Sequence, residues 1–69
     1  KVRNLTRGQR VLAIGDTDAG KPMVVRRVVR VEQDEGIIGL DLEYADGTRT
    51  GLGRYDAGEV VVTEGGGER

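Results

Sequence analysis

This 69-residue chain has no cysteine, histidine, tryptophan or phenylalanine, and a single proline. Each absence removes a class of chemistry. Without cysteine there is no disulfide to constrain the unfolded chain. Without cysteine and histidine, the common zinc ligand sets and imidazole acid–base catalysis drop out together. The lack of cysteine fits a reducing, cytoplasmic setting. Tyr44 and Tyr55 are the only aromatic residues. They are too few for a methyl-ammonium cage, which needs several ring faces, or for an aromatic groove that holds proline-rich peptides. No run approaches the roughly 20 apolar residues of a membrane helix, and no signal-peptide pattern opens the chain. An opening on Lys1 in place of Met is what a trimmed N-terminus would give. An excess of one charge is missing too: 11 basic and 12 acidic residues leave a net charge of −1. A balanced chain has no general pull toward nucleic acid.

What is present favours strands. Ten Val, three Ile and five Thr carry branched Cβ atoms that suit a pleated surface. Nine of the eleven basic residues are Arg; with the many Gly and Val, this is the usage of a GC-rich genome, such as that of an actinobacterium or its phage. Turn signals divide the chain into five expected strands: residues 9–14, 23–33, 37–44, 48–53 and 59–63. A loop over 15–22 joins the first two, and Asp34, Glu35 and Gly36 turn the second into the third. Residues 54–58 read as a connector with one 3₁₀ turn, and 64–69 as a flexible tail after a single domain over 1–63.

Register can be tested within the third and fourth strands. A three-residue loop, Ala45, Asp46 and Gly47, places glycine at the left-handed position of the bulged hairpin. Tyr44 then faces Thr48, Glu43 faces Arg49, Leu42 faces Thr50 and Leu40 faces Leu52. Apolar pairs fall on one side and an ion pair on the other, whereas a one-residue slip would expose the core. The second strand resists simple alternation. No single phase hides its valines and exposes Arg26, Arg27 and Arg30, so a bulge or bend near Arg26 and Arg27 is expected.

The order of strand, long loop, long bent strand, short turn, strand, tight turn, strand, 3₁₀ turn and last strand resembles the SH3-like small barrels. The run Leu5-Thr6-Arg7-Gly8-Gln9-Arg10-Val11-Leu12-Ala13 is similar to the opening of the Tudor and KOW branches of that fold. Leu42-Glu43-Tyr44-Ala45-Asp46-Gly47-Thr48 is similar to their Asp-Gly hairpin. The resemblance spans residues 5–63 and implies an all-β, five-stranded barrel with one 3₁₀ turn before the last strand. Fold alone does not name a function.

Two motifs invite a site and fail on their physics. Gly15 to Gly20 with Lys21 nearly spells a phosphate loop, but a strand and not a helix follows. Pro22 stands where a magnesium-binding hydroxyl would be, and Asp16 and Asp18 repel phosphate. The same aspartates resemble the start of a calcium loop that lacks its later ligands. No nucleophile has a base beside it, so catalysis, cofactor and metal are not expected. The expected function is a protein-binding module that docks on a larger machine, with nucleic-acid binding or an edge-strand homo-oligomer as alternatives. Candidate contact residues are the loop acids Asp16, Asp18, Asp34 and Glu35, the arginines Arg26, Arg30, Arg49 and Arg54, and Tyr55 in the connector. Arginine is singled out because its planar guanidinium makes several contacts at once.

Overall fold

The structure is a computed structural model that describes residues 1–64. It is all-β. Five strands, β1 (Arg10–Ile14), β2 (Arg26–Asp34), β3 (Ile37–Tyr44), β4 (Gly53–Asp56) and β5 (Val61–Thr63), form one antiparallel sheet in the order β4-β3-β2-β1-β5. Two 3₁₀ turns accompany them, at Val2–Asn4 and Gly15–Asp18. Of the expected tail, residues 65–69 lie outside the described residues, while Glu64 ion-pairs with Arg10 at 3.1 Å.

The core explains why the sheet curls. Val11 and Ile14 of β1, Val28 of β2, and Ile38, Leu40 and Leu42 of β3 are buried in one cluster, with Tyr55 of β4 and Val61 of β5 packed against it. All five strands can reach one cluster only if the sheet wraps around it. Complete burial of Leu40 and Leu42 stabilises the fold by about 1.5–3 kcal/mol each. The sheet is not closed by pairing between its two edge strands, β4 and β5. The N-terminal turn spans that gap. Val2 N–H donates to Glu59 O at 2.8 Å and Arg3 N–H to Ala57 O at 3.0 Å. Val2 and Leu5 are thereby buried in the core.

The Tyr44–Thr48 hairpin forms as its loop demands. Tyr44 N–H donates to Thr48 O at 2.7 Å, Gly47 sits at φ 88°, and Glu43 bridges to Arg49. Beyond it the register departs from expectation. Gly51 adopts φ 79°, a left-handed conformation open to glycine. It adds one residue to that strand, so that Leu40 meets Gly53 and not Leu52. Leu52 is therefore turned outward, 49% exposed, and lies over Gly39 instead of joining the core. The same insertion moves β4 toward the C-terminus. The stretch expected to be a 3₁₀ connector is mostly strand, and no 3₁₀ turn precedes β5.

In β2 the expected bulge is present but lies between Val28 and Arg30. Val29 is the extra residue, so Val28 and Val31 both turn inward while Arg30 turns outward. Met23 to Val25, expected to begin the strand, stay outside the ladder, because Arg26 takes the Val24 carbonyl with its Nε at 3.0 Å. The β2–β3 turn places Glu35 at φ 42° and Gly36 at φ 83°. This is the tight hairpin geometry that needs two positive φ values.

Candidate functional site

Alternation along β2 and β3 decides which side chains can serve a partner. On the inner side, Arg26 pairs with Tyr44, Val28 with Leu42, Val31 with Leu40 and Gln33 with Ile38. On the outer side, Arg27 pairs with Glu43, Arg30 with Asp41, Glu32 with Gly39 and Asp34 with Ile37. β4 extends both sides, with Tyr55 inward opposite Ile38, and Arg54 and Asp56 outward opposite Gly39 and Ile37.

Three of the nine sequence candidates, Arg26, Asp18 and Tyr55, are internal. Arg26 is 8% exposed. Its Nη2 donates to Asp18 Oδ2 and to Leu12 O, both at 3.0 Å, and its Nε to Val24 O. Asp18 Oδ2 also accepts the Ile14 N–H at 2.7 Å. One ion pair thus ties the 15–18 turn to β1 and β2, and neither residue is free to meet a partner. Burial alone would raise the Asp18 carboxyl. Hydrogen bonds from Arg26 and the Ile14 N–H, with the charges of Arg26 and Lys21, outweigh it and hold the group below the usual carboxylate range. Tyr55 is likewise not an exposed connector residue. It belongs to β4 and packs on the core. Burial, reinforced by the Asp18 charge, raises its hydroxyl above the ordinary value.

Asp16 and Glu35 are exposed but stand in separate turns. The remaining four candidates, Arg30, Asp34, Arg49 and Arg54, come together on the outer face of β2-β3-β4. There they join residues that are not among those nine: Arg27, Glu32, Asp41, Asp56, and Glu43, which the hairpin register already sets against Arg49. Parity could have found Glu32, two residues from both Arg30 and Asp34. Arg27 and Asp56 could not be placed until the bulge and the β4 register were known.

The face is organised in rows across the strands. At the hairpin end Glu43 holds Arg27 at 2.7 Å and Arg49 at 3.7 Å. In the middle Arg30 ion-pairs with Glu32 on its own strand and leaves Asp41, directly opposite, without it. Asp41 Oδ1 is buried with no hydrogen-bond partner among the described residues. Arg54 makes no ion pair there either. Leu52 covers Gly39 at the centre. At the turn end Asp34 and Asp56 flank Ile37. Among the described residues no cluster of three or more acidic side chains is arranged to hold a metal ion, and no helix is long and apolar enough to cross a membrane. Compared with known proteins by family model, by sequence and by structure, the chain shows no match.

Proposed function

We propose that this chain is a non-catalytic protein-binding module of the SH3-like small-barrel kind, and that it docks through the outer face of β2-β3-β4. The element order supports the SH3-like reading, with a long loop before β2, a bulge within β2, a tight turn from β2 to β3 and a short last strand. The observation that carries the binding reading is the composition of that face. Four arginines and five carboxylates surround the Leu52–Gly39 centre. Phosphate backbones need a patch of uniform positive charge. Mixed signs suit a protein surface with the complementary pattern, where charge sets orientation and partner choice. The unpartnered Asp41 oxygen is a further support, because a buried acceptor without a donor is costly and a docked donor would satisfy it.

A pull-down from a lysate of the organism that encodes the chain tests this reading. The expected result is a partner retained by the wild type and by Arg10→Glu, outside the face, but lost with Arg54→Glu. Background alone, or a partner indifferent to Arg54→Glu, contradicts it. Single- and double-stranded oligonucleotides are expected to give no anisotropy change even at low salt.

A further inference from the structure

We infer that the outer face of β2-β3-β4 is complementary to itself and docks a second copy of this chain. The inference rests on the reading of that face as a protein-binding surface and names its occupant. Its basis is the distribution of charge along the strands. The row at the hairpin end contains Arg27 on β2 and Arg49 beside β3, while the row at the turn end contains Asp34 on β2 and Asp56 on β4. One end is positive and the other negative, on the same two flanks.

A two-fold axis lying in the interface and running across the strands keeps each strand over its own counterpart and reverses the order of rows. Arg27 then meets Asp34 of the second copy, and Arg49 meets Asp56. In the middle rows Arg30 meets Glu32. Glu43 does not consume the arginines it holds, since a guanidinium has five N–H donors and Glu43 takes only some of them.

The two groups left over in a single copy complete the pattern. Arg54 has no ionic partner among the described residues, and Asp41 has a buried oxygen without a donor. Arg54 lies opposite Gly39, one row from Asp41 on the same face. Reversal of the rows carries the Gly39 row of one copy over the Asp41 row of the other. Each Arg54 is thereby set beside the Asp41 that needs a donor. Leu52 and the bare Gly39 backbone lie at the centre of the contact, where an isologous interface packs most closely. Every contact made by one copy is made again by its twin, so charge satisfaction is doubled.

Sedimentation of the full chain from micromolar to millimolar concentration tests this at low and high salt. A dimer that weakens with salt is expected, because its contacts are charged. Arg49→Glu sets acid against Asp56, and Asp56→Arg sets base against Arg49. Each variant alone should dissociate at least about tenfold more readily than the wild type. Mixed together, the two should form a heterodimer, because both contacts regain opposite signs. Arg27→Asp and Asp34→Arg provide an independent second pair, and circular dichroism confirms that each variant folds. A wild-type monomer across the whole range would overturn the inference. So would a dimer indifferent to both substitutions, which would place pairing elsewhere, such as the β5 edge with its exposed Val60 and Val62. If the chain is monomeric yet still captures another protein in an Arg54-dependent way, the binding reading stands and self-docking falls.

Discussion

Arg26 and Arg27 are neighbours in the chain with opposite roles. Arg26 points inward, gives hydrogen bonds to two carbonyls and a carboxylate, and is 8% exposed. Arg27 points outward, holds one Glu43 oxygen at 2.7 Å and keeps 55% of its side chain in solvent. The residue type is the same and the strand is the same. Only the parity of the position differs, and parity turns one guanidinium into a structural tie and its neighbour into surface. The lesson extends across the sheet: an arginine's role here follows from the side of the strand it occupies, and the sides are set by where bulges fall.

Substitution should separate the two most sharply. Arg26→Ala leaves the Asp18 carboxylate without its partner in a nearly enclosed site, and a loss of about 3 kcal/mol is expected in urea unfolding. An unchanged midpoint would mean that the inner pair holds nothing together. The acid limb of the stability profile probes the same pair without removing the arginine. The folded-state Asp18 carboxyl is held below its usual range. Its contribution is therefore complete above that range and disappears as pH falls through the folded-state value. Asp18→Asn should flatten this part of the acid limb, and an acid limb identical to the wild type would contradict the assignment. Gly51→Ala forces a Cβ into a left-handed backbone at φ 79° and should cost about 1 kcal/mol. If it costs nothing, the register shift that turns Leu52 outward is not needed. The smallest effect is expected on the outer face. Arg27→Ala should change stability by no more than about 0.5 kcal/mol, because exposed ion pairs contribute little. A loss comparable to that of Arg26→Ala would erase the distinction between the two sides.

The parts of the fold that could be read in advance are those where local rules act alone. β3 runs over residues 37–44 as its alternation requires, and the Ala45-Asp46-Gly47 loop sets Glu43 against Arg49. The parts that could not be read depend on a single inserted residue. Gly51 lies beyond the hairpin in a stretch whose pattern suits either register, and its left-handed φ moved Leu52 from core to surface. The β2 bulge is expected from the clash between Val and Arg, but it lies two residues beyond Arg27, and the division of arginines between faces follows only from that position. Val2 and Leu5 are not legible as core because two apolar residues in a polar segment carry no periodicity. Their burial comes from the gap between β4 and β5, which only the assembled sheet reveals. Of the candidate site, the arginines of the outer face were legible as charge. Their convergence was not, because it needs the register of three strands at once.

Arginine side-chain NMR tests the division between the faces most directly. Recorded on dilute protein at high salt, where self-docking is suppressed, it reads hydrogen exchange at the Nε–H of each of the nine arginines. The Arg26 Nε–H donates to the Val24 carbonyl at 3.0 Å inside the fold, so it should exchange slowly. Those of Arg27, Arg30, Arg49 and Arg54 should exchange as freely as in an open chain. An Arg26 signal that exchanges as fast as that of Arg27 would contradict the account.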